Sequence, residues 1–167
     1  MQIHLPDEHH TRALGRWIAG QLTGGQVLSL EGPLGAGKTT LLQGLADGLG
    51  MGAQLTSPTF ILFRVVPIPS SKKSSVKKSG ITQLVHADAY RVKDPAELVA
   101  TGFTEFVGEP STLVVVEWGD RVKKLLPKDT LHVHLKRIKV GADGKDAGRE
   151  VVLPEALGKL PKDWYTH

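Results

Sequence analysis

The stretch Gly32-Pro33-Leu34-Gly35-Ala36-Gly37-Lys38-Thr39 carries the spacing G-x-x-x-x-G-K-[ST], and each fixed residue type in it has a physical task toward a polyphosphate. Glycines let consecutive main-chain amides turn toward one anion. A helix beginning near Lys38 adds the positive end of its dipole, and the Lys38 ammonium can reach the β- and γ-phosphates. The Thr39 hydroxyl suits Mg²⁺. Gly35, Ala36, Gly37, Lys38, Thr39 and Thr40 are therefore the expected contacts to a nucleoside triphosphate. Hydrolysis needs, in addition, a carboxylate that holds the metal's water shell or orients the attacking water. Two candidates end apolar runs: Asp88 closes Leu84-Val85-His86-Ala87-Asp88, and Glu117 closes Leu113-Val114-Val115-Val116-Glu117. In an open α/β sheet those strand ends border the ligand crevice.

The elements that must hold these residues follow from periodicity and punctuation. Asp7 caps a helix whose apolar positions Leu14, Trp17, Ile18 and Leu22 recur every three or four residues, before Gly24-Gly25. Gln26 to Glu31 reads as a buried strand, Gly32 to Gly37 as the glycine turn, and Lys38 to Leu49 as a helix with Leu41, Leu42, Leu45 and Leu49 inward. Thr56-Ser57-Pro58-Thr59 is a loop. Phe60 to Val66 and Ile81 to Ala87 predict an antiparallel hairpin, with the Pro-, Ser- and Lys-rich tip Pro67 to Gly80 expected to be mobile. Asp94-Pro95 opens a helix with Leu98, Val99 and Phe103 inward. Leu113 to Glu117 is the most apolar strand and is expected to be central in the sheet. A short helix over Asp120 to Leu126 stops at Pro127. Thr130 to Leu135 and Arg149 to Leu153 read as strands joined through the Gly/Asp-rich turn Gly141 to Gly148. The alternation predicts an α/β fold: a P-loop NTPase-like sandwich, its mixed, mostly parallel sheet flanked by helices and carrying one antiparallel hairpin.

The chain has 167 residues, enough for a single domain over residues 1–167 with one core. No apolar run exceeds four residues, which excludes a spanning helix. The opening Met1-Gln2-Ile3-His4-Leu5-Pro6-Asp7-Glu8 has neither a basic nor an apolar leader segment, so a cytoplasmic location is expected. Cysteine is absent, which removes disulfide scaffolds, thiolate nucleophiles and Cys-bound zinc. The net charge of +4 matches the four lysines Lys72, Lys73, Lys77 and Lys78 of the tip. That makes it a weak pointer to a polyanionic partner.

The runs LEGPLGAGKTT (Leu30 to Thr40), SPTF (Ser57 to Phe60), HADAYR (His86 to Arg91) and VVVEW (Val114 to Trp118) occur in that order. Together they resemble the bacterial TsaE family, also called YjeE, and the similarity extends from LPDE (Leu5 to Glu8) to GRE (Gly148 to Glu150). The resemblance implies an ATPase of tRNA threonylcarbamoyladenosine biosynthesis that uses ATP and Mg²⁺. It would work with the TsaB–TsaD complex toward position 37 of tRNAs reading ANN codons. It would meet tRNA indirectly or weakly, and neither a membrane nor DNA is expected as a partner. It gives Thr39 and Glu117 a metal role and makes Asp88, with Lys38 and Thr59, the residues of turnover, Thr59 as a switch residue approaching the γ-phosphate. It brings Trp118, Glu8 and Arg149 toward the nucleotide. Pro33, where family members often carry an acid, and the longer, more basic tip depart from the family pattern.

Two other readings share the glycine loop. A small-molecule kinase would pass the γ-phosphate to an acceptor, but the hairpin tip that would serve as its lid has lysines and no arginine. A non-catalytic assembly factor would bind nucleotide and gain nothing from hydrolysis. His86 is read as structural, and Tyr90 and Arg91 as shaping either a partner-facing or a nucleotide-side surface. His132 and His134 share a strand face with no third metal ligand evident nearby.

Overall fold

The computed structural model describes residues 1–52, 62–69, 80–140, 145–162 and 164. Thr59, the rest of the SPTF loop and most of the lysine-rich tip fall outside the described residues. Seven strands, β1 (Gln2–Leu5), β2 (Val27–Glu31), β3 (Phe63–Pro67), β4 (Gln83–Asp88), β5 (Thr112–Glu117), β6 (Leu131–Val140) and β7 (Lys145–Val152), form one sheet in the order β1-β7-β6-β2-β5-β4-β3. The inner pairs β6/β2, β2/β5 and β5/β4 are parallel. The outer pairs β1/β7, β7/β6 and β4/β3 are antiparallel. The sheet is thus mixed with a parallel centre, as the alternating pattern predicts. It contains a second antiparallel hairpin, β6–β7, beside the expected β3–β4, and an N-terminal strand, β1, that the sequence reading did not foresee.

Helices α1 (Glu8–Gln21) and α2 (Lys38–Gly48) cover one face, and the short helix α3 (Ala96–Ala100) belongs to the other. Leu14, Ile18, Leu41, Leu42, Leu45 and Leu49 are inaccessible and meet Leu28, Leu30, Leu113 and Val115 of the sheet. Each such leucine contributes about 1.5–3 kcal/mol relative to exposure. On the opposite face Val27, Val85, Ala87, Val114 and Val116 pack with Leu98, Phe103 and Val122. Because both faces are covered, β2 and β5 are buried at every residue, which explains the unbroken apolar run Leu113 to Val116 of β5. The central strand is β2 rather than the more apolar β5, which lies next to it.

Local chemistry sets the boundaries. The Asp7 carboxylate accepts from the His10 amide at 2.9 Å and caps α1 as predicted. That helix ends at Gln21, before the glycine pair, with Leu22 already extended. Val99 is a correction: it was expected inward with Leu98 and Phe103, but it is 46% exposed. The reason is that α3 has only five residues and the chain turns at Gly102 into a 3-10 turn, Phe103–Phe106. The segment expected as a helix over Asp120 to Leu126 is a kinked 3-10 helix, Gly119–Leu125. The turn expected over Gly141 to Gly148 is shorter, because Lys145 and Asp146 already pair with Val140 and Lys139 and extend β7 toward β6. Gly15 and Gly44 let α1 and α2 cross at backbone contact. A Cβ on Gly15 would meet Leu41 O and lie 2.6 Å from Leu45 N, and one on Gly44 would meet Arg12 O. Among the described residues no helix is long and apolar enough to cross a membrane.

Candidate functional site at the carboxyl edge of the sheet

β2 delivers the chain to its carboxyl end at Glu31, where the backbone must reverse into α2. Gly32 and Gly37 take φ of +134° and +102°, conformations that a side chain rarely tolerates. Gly37 occupies the N-cap of α2, and no side chain caps that end. The first-turn amides of an 11-residue helix therefore point at the loop with no side-chain partner. Lys38, 5% exposed, folds back so that Nζ donates to Gly32 O at 2.7 Å and to Pro33 O at 3.0 Å. Burial lowers the Lys38 pKa, and the nearby charges of Glu117, Asp88 and Asp120 oppose that shift.

The parallel register of β4 and β5 sets Asp88 directly beside Glu117. Glu117, 4% exposed, accepts from the Thr39 hydroxyl through Oε2 at 3.1 Å and faces His86 Nε2 through Oε1 at 3.0 Å. One Asp88 oxygen accepts from the Tyr90 amide at 3.0 Å, which anchors the acid at the mouth of the crevice. Thr39, Glu117 and Asp88 together offer only oxygen donors, a set suited to a small hard cation such as Mg²⁺.

A cleft of about 360 Å³ lies over this edge, lined by residues 34–40 together with Asp88, Tyr90, Glu117, Trp118 and Arg149. Every loop residue expected to touch nucleotide, Gly35 through Thr40, is in that lining, as are both carboxylates and Trp118. Arg149 reaches it from β7, its Nε 3.5 Å from where a Gly37 side chain would begin. Glu8 is exposed on the first turn of α1 and outside the lining; from that helix it is Thr11 that approaches Gly37. Tyr90, whose side the sequence left open, faces the cleft, with its ring 5.0 Å from that of Trp118.

His132 and His134, which the sequence placed on one strand face with no third group nearby, are joined by a carboxylate that the sequence reading missed. Glu31 is 7% exposed and lies on the opposite face of the sheet from Glu117. It accepts from Ser29 Oγ at 2.7 Å and meets His132 Nδ1 at 2.6 Å and His134 Nδ1 at 3.1 Å. Burial pushes the Glu31 pKa up, but the hydrogen bonds from His132 and Ser29 and the imidazole charges outweigh it, and the carboxyl sits below its ordinary value. The only linear signal was the two-residue spacing of the histidines.

The fold and the edge site define a P-loop NTPase-like α/β domain, built on a strand, a glycine loop and a helix. The sequence model of the TsaE family, threonylcarbamoyl adenosine biosynthesis protein TsaE, matches residues 5–146. The chain belongs to that family, whose role is in tRNA threonylcarbamoyladenosine biosynthesis. It is 37% identical over 126 residues to the TsaE protein of Streptomyces coelicolor, covering 75% of this chain and 78% of the relative. To the TsaE protein of Bacillus subtilis it is 34% identical over 132 residues, covering 79% and 73%. The crystal structure of Bacillus subtilis YdiB superposes with a TM-score of 0.62 at 27% identity, over 92% of this chain and 83% of that one.

Proposed function

We propose that this chain binds and hydrolyses ATP with Mg²⁺, and that its nucleotide cycle sustains threonylcarbamoyladenosine formation at position 37 of ANN-decoding tRNAs in concert with TsaB and TsaD. The observation that carries the reading is the Thr39–Glu117 contact at 3.1 Å, next to a lysine held at the start of a helix whose first amides no side chain caps. The loop amides and the helix dipole bind the phosphate tail. Lys38 exchanges its two loop carbonyls for phosphate oxygens. Thr39 and Glu117 hold the cation, which neutralises developing phosphate charge when bound. Asp88, fixed by the Tyr90 amide, orients the attacking water. Trp118 and Arg149 close the cleft around the nucleotide, and Thr59 is the residue proposed to sense the γ-phosphate. The partners complete the site, because positioning and electrostatics carry nearly all of phosphoryl-transfer catalysis.

The test is multiple-turnover tRNA modification by the purified protein with TsaB, TsaD, tRNA and the threonylcarbamoyl donor, using wild type, Lys38→Ala and Asp88→Ala. Lys38→Ala should lose nucleotide binding. Asp88→Ala should bind nucleotide but stop after about one round. Sustained turnover by Asp88→Ala would overturn the hydrolytic role, and labelled phosphate on a small acceptor would point to a kinase.

A further inference from the structure

His86 lies on β4 two residues before Asp88 and is 1% exposed. It faces a carboxylate rather than an apolar neighbour: Nε2 is 3.0 Å from Glu117 Oε1. The other oxygen of that carboxylate accepts from Thr39 Oγ1. His86 Nδ1, in contrast, is buried with no partner among the described residues. A carboxylate only accepts, so the geometry puts a ring hydrogen on Nε2, facing Glu117 Oε1. A buried ring nitrogen with no partner among the described residues is costly in a strand interior where leucine would pack.

Both oxygens of Glu117 are thereby claimed, Oε1 by the sheet and Oε2 by the first turn of α2. Without the His86 donor, a nearly inaccessible carboxylate would keep a single hydrogen bond and could rotate about its last torsion. Carboxylates that bind metals are held in this way by outer partners, and removing such a partner typically costs 10–100-fold in metal affinity or activity.

We propose that His86 is a positioning residue, whose Nε2–H fixes Glu117 so that its carboxylate and the Thr39 hydroxyl converge on the divalent cation that accompanies the nucleotide. This rests on the reading of Glu117 as the metal-facing acid. His86 touches neither nucleotide nor cation; it acts through Glu117.

The experiment compares wild type, His86→Leu, which keeps bulk and removes the donor, and His86→Gln, which keeps an N–H near the Nε2 position. Calorimetry measures ADP affinity in EDTA and across a Mg²⁺ series, with thermal unfolding alongside. His86→Leu should bind ADP in EDTA as wild type does and need about ten-fold more Mg²⁺ for half of the metal-dependent gain in affinity. His86→Gln should restore most of that loss. In a Glu117→Gln background, His86→Leu should change nothing further. A folded His86→Leu with wild-type Mg²⁺ dependence would overturn the proposal, as would a His86→Gln no better than His86→Leu. Should His86→Leu fail to fold, long-range ¹H–¹⁵N spectra of the wild-type imidazole decide: hydrogen on Nε2 in metal-free protein supports the proposal, and an Nε2 that carries no hydrogen overturns it. A wild type that gains no ADP affinity from Mg²⁺ would sink the metal reading of Glu117 itself, and this proposal with it. That result is distinct from one in which wild type shows the gain and His86→Leu keeps it.

Discussion

The Lys38 ammonium lies 3.7 Å from the ring centroid of Trp118, face-on, while it donates to the carbonyls of Gly32 and Pro33. Trp118 is the one non-glycine residue with positive φ (60°) among the described residues. Such a conformation costs of order 1–3 kcal/mol and persists only where its surroundings enforce it. Here the Trp118 amide is tied to Leu30 O at 2.9 Å, which locks the end of β5 to the strand that feeds the glycine loop. The strain therefore places an aromatic face under the ammonium that, in the proposed function, binds phosphate. The ring and two carbonyls hold the lysine inside the cleft, ready to be traded for a stronger acceptor.

That exchange should be visible. In a Trp17→Phe/Trp164→Phe background, Trp118 is the single indole and its emission reports the Lys38 position. Adding MgADP should change the emission saturably, in step with calorimetric binding. Lys38→Ala should remove the response together with the binding. Binding without any change in emission would show that Lys38 stays on the ring.

Helix spacing predicts two alanine substitutions of opposite sign in α1. Gly15→Ala would push a methyl against the backbone of α2 at Leu41 and Leu45, where no side chain can move aside. It should cost roughly 1–3 kcal/mol in urea unfolding and weaken nucleotide binding, because α2 carries Lys38 and Thr39. Gly20→Ala, with nothing within 4 Å of the new methyl, should stabilise by about 0.4–1 kcal/mol. Equal effects at the two positions would refute the close crossing.

What the sequence made legible was whatever had a local cause. The β2–loop–α2 unit announces itself through motif, apolar period and glycine punctuation, and the strand-end acids follow from apolar runs that stop at a charge. The cross-strand pairs have no such signal. His86 meets Glu117 across 31 residues and His132 meets Glu31 across 101, and only the register of a parallel sheet brings them together. β1 was illegible for the same reason: four residues paired with β7 near the far end of the chain give a pattern too short to read alone. Val99 misled because three apolar residues at helical spacing imply a longer helix than the chain builds.

Arg149 reaches the glycine loop under restraint. Its Nη1 donates to Asp146 Oδ1 at 2.7 Å, and the other oxygen of Asp146 holds Arg137 Nη2 at 2.9 Å. Arg149→Ala should weaken MgATP binding roughly ten-fold, the scale of one charge-assisted hydrogen bond. Asp146→Ala, a half-exposed pair screened by solvent, should weaken it about two- to five-fold, and the double variant should match Arg149→Ala alone. Strictly additive losses in a titration series would show that Asp146 acts elsewhere.

Glu31 sits immediately before Gly32, so its charge state bears on the strand end that launches the loop. Its pKa is depressed in the folded chain: burial acts against the charged form, but the bonds from His132 and Ser29 prevail. A carboxyl depressed on folding gives up its proton more readily in the native state. Its contribution is therefore complete above the ordinary carboxyl value of about 4.3 and is lost as pH falls through the native value. Between those limits the unfolded chain binds the extra proton, so stability rises with pH. Glu31→Gln removes the titration while keeping the shape. Its unfolding temperature should lie below that of wild type at pH 7, and the gap should narrow as pH falls below the ordinary carboxyl value. A gap of constant size from pH 7 to pH 3 would mean that the imidazole–carboxylate cluster contributes through packing alone, with no share of its stability carried by charge.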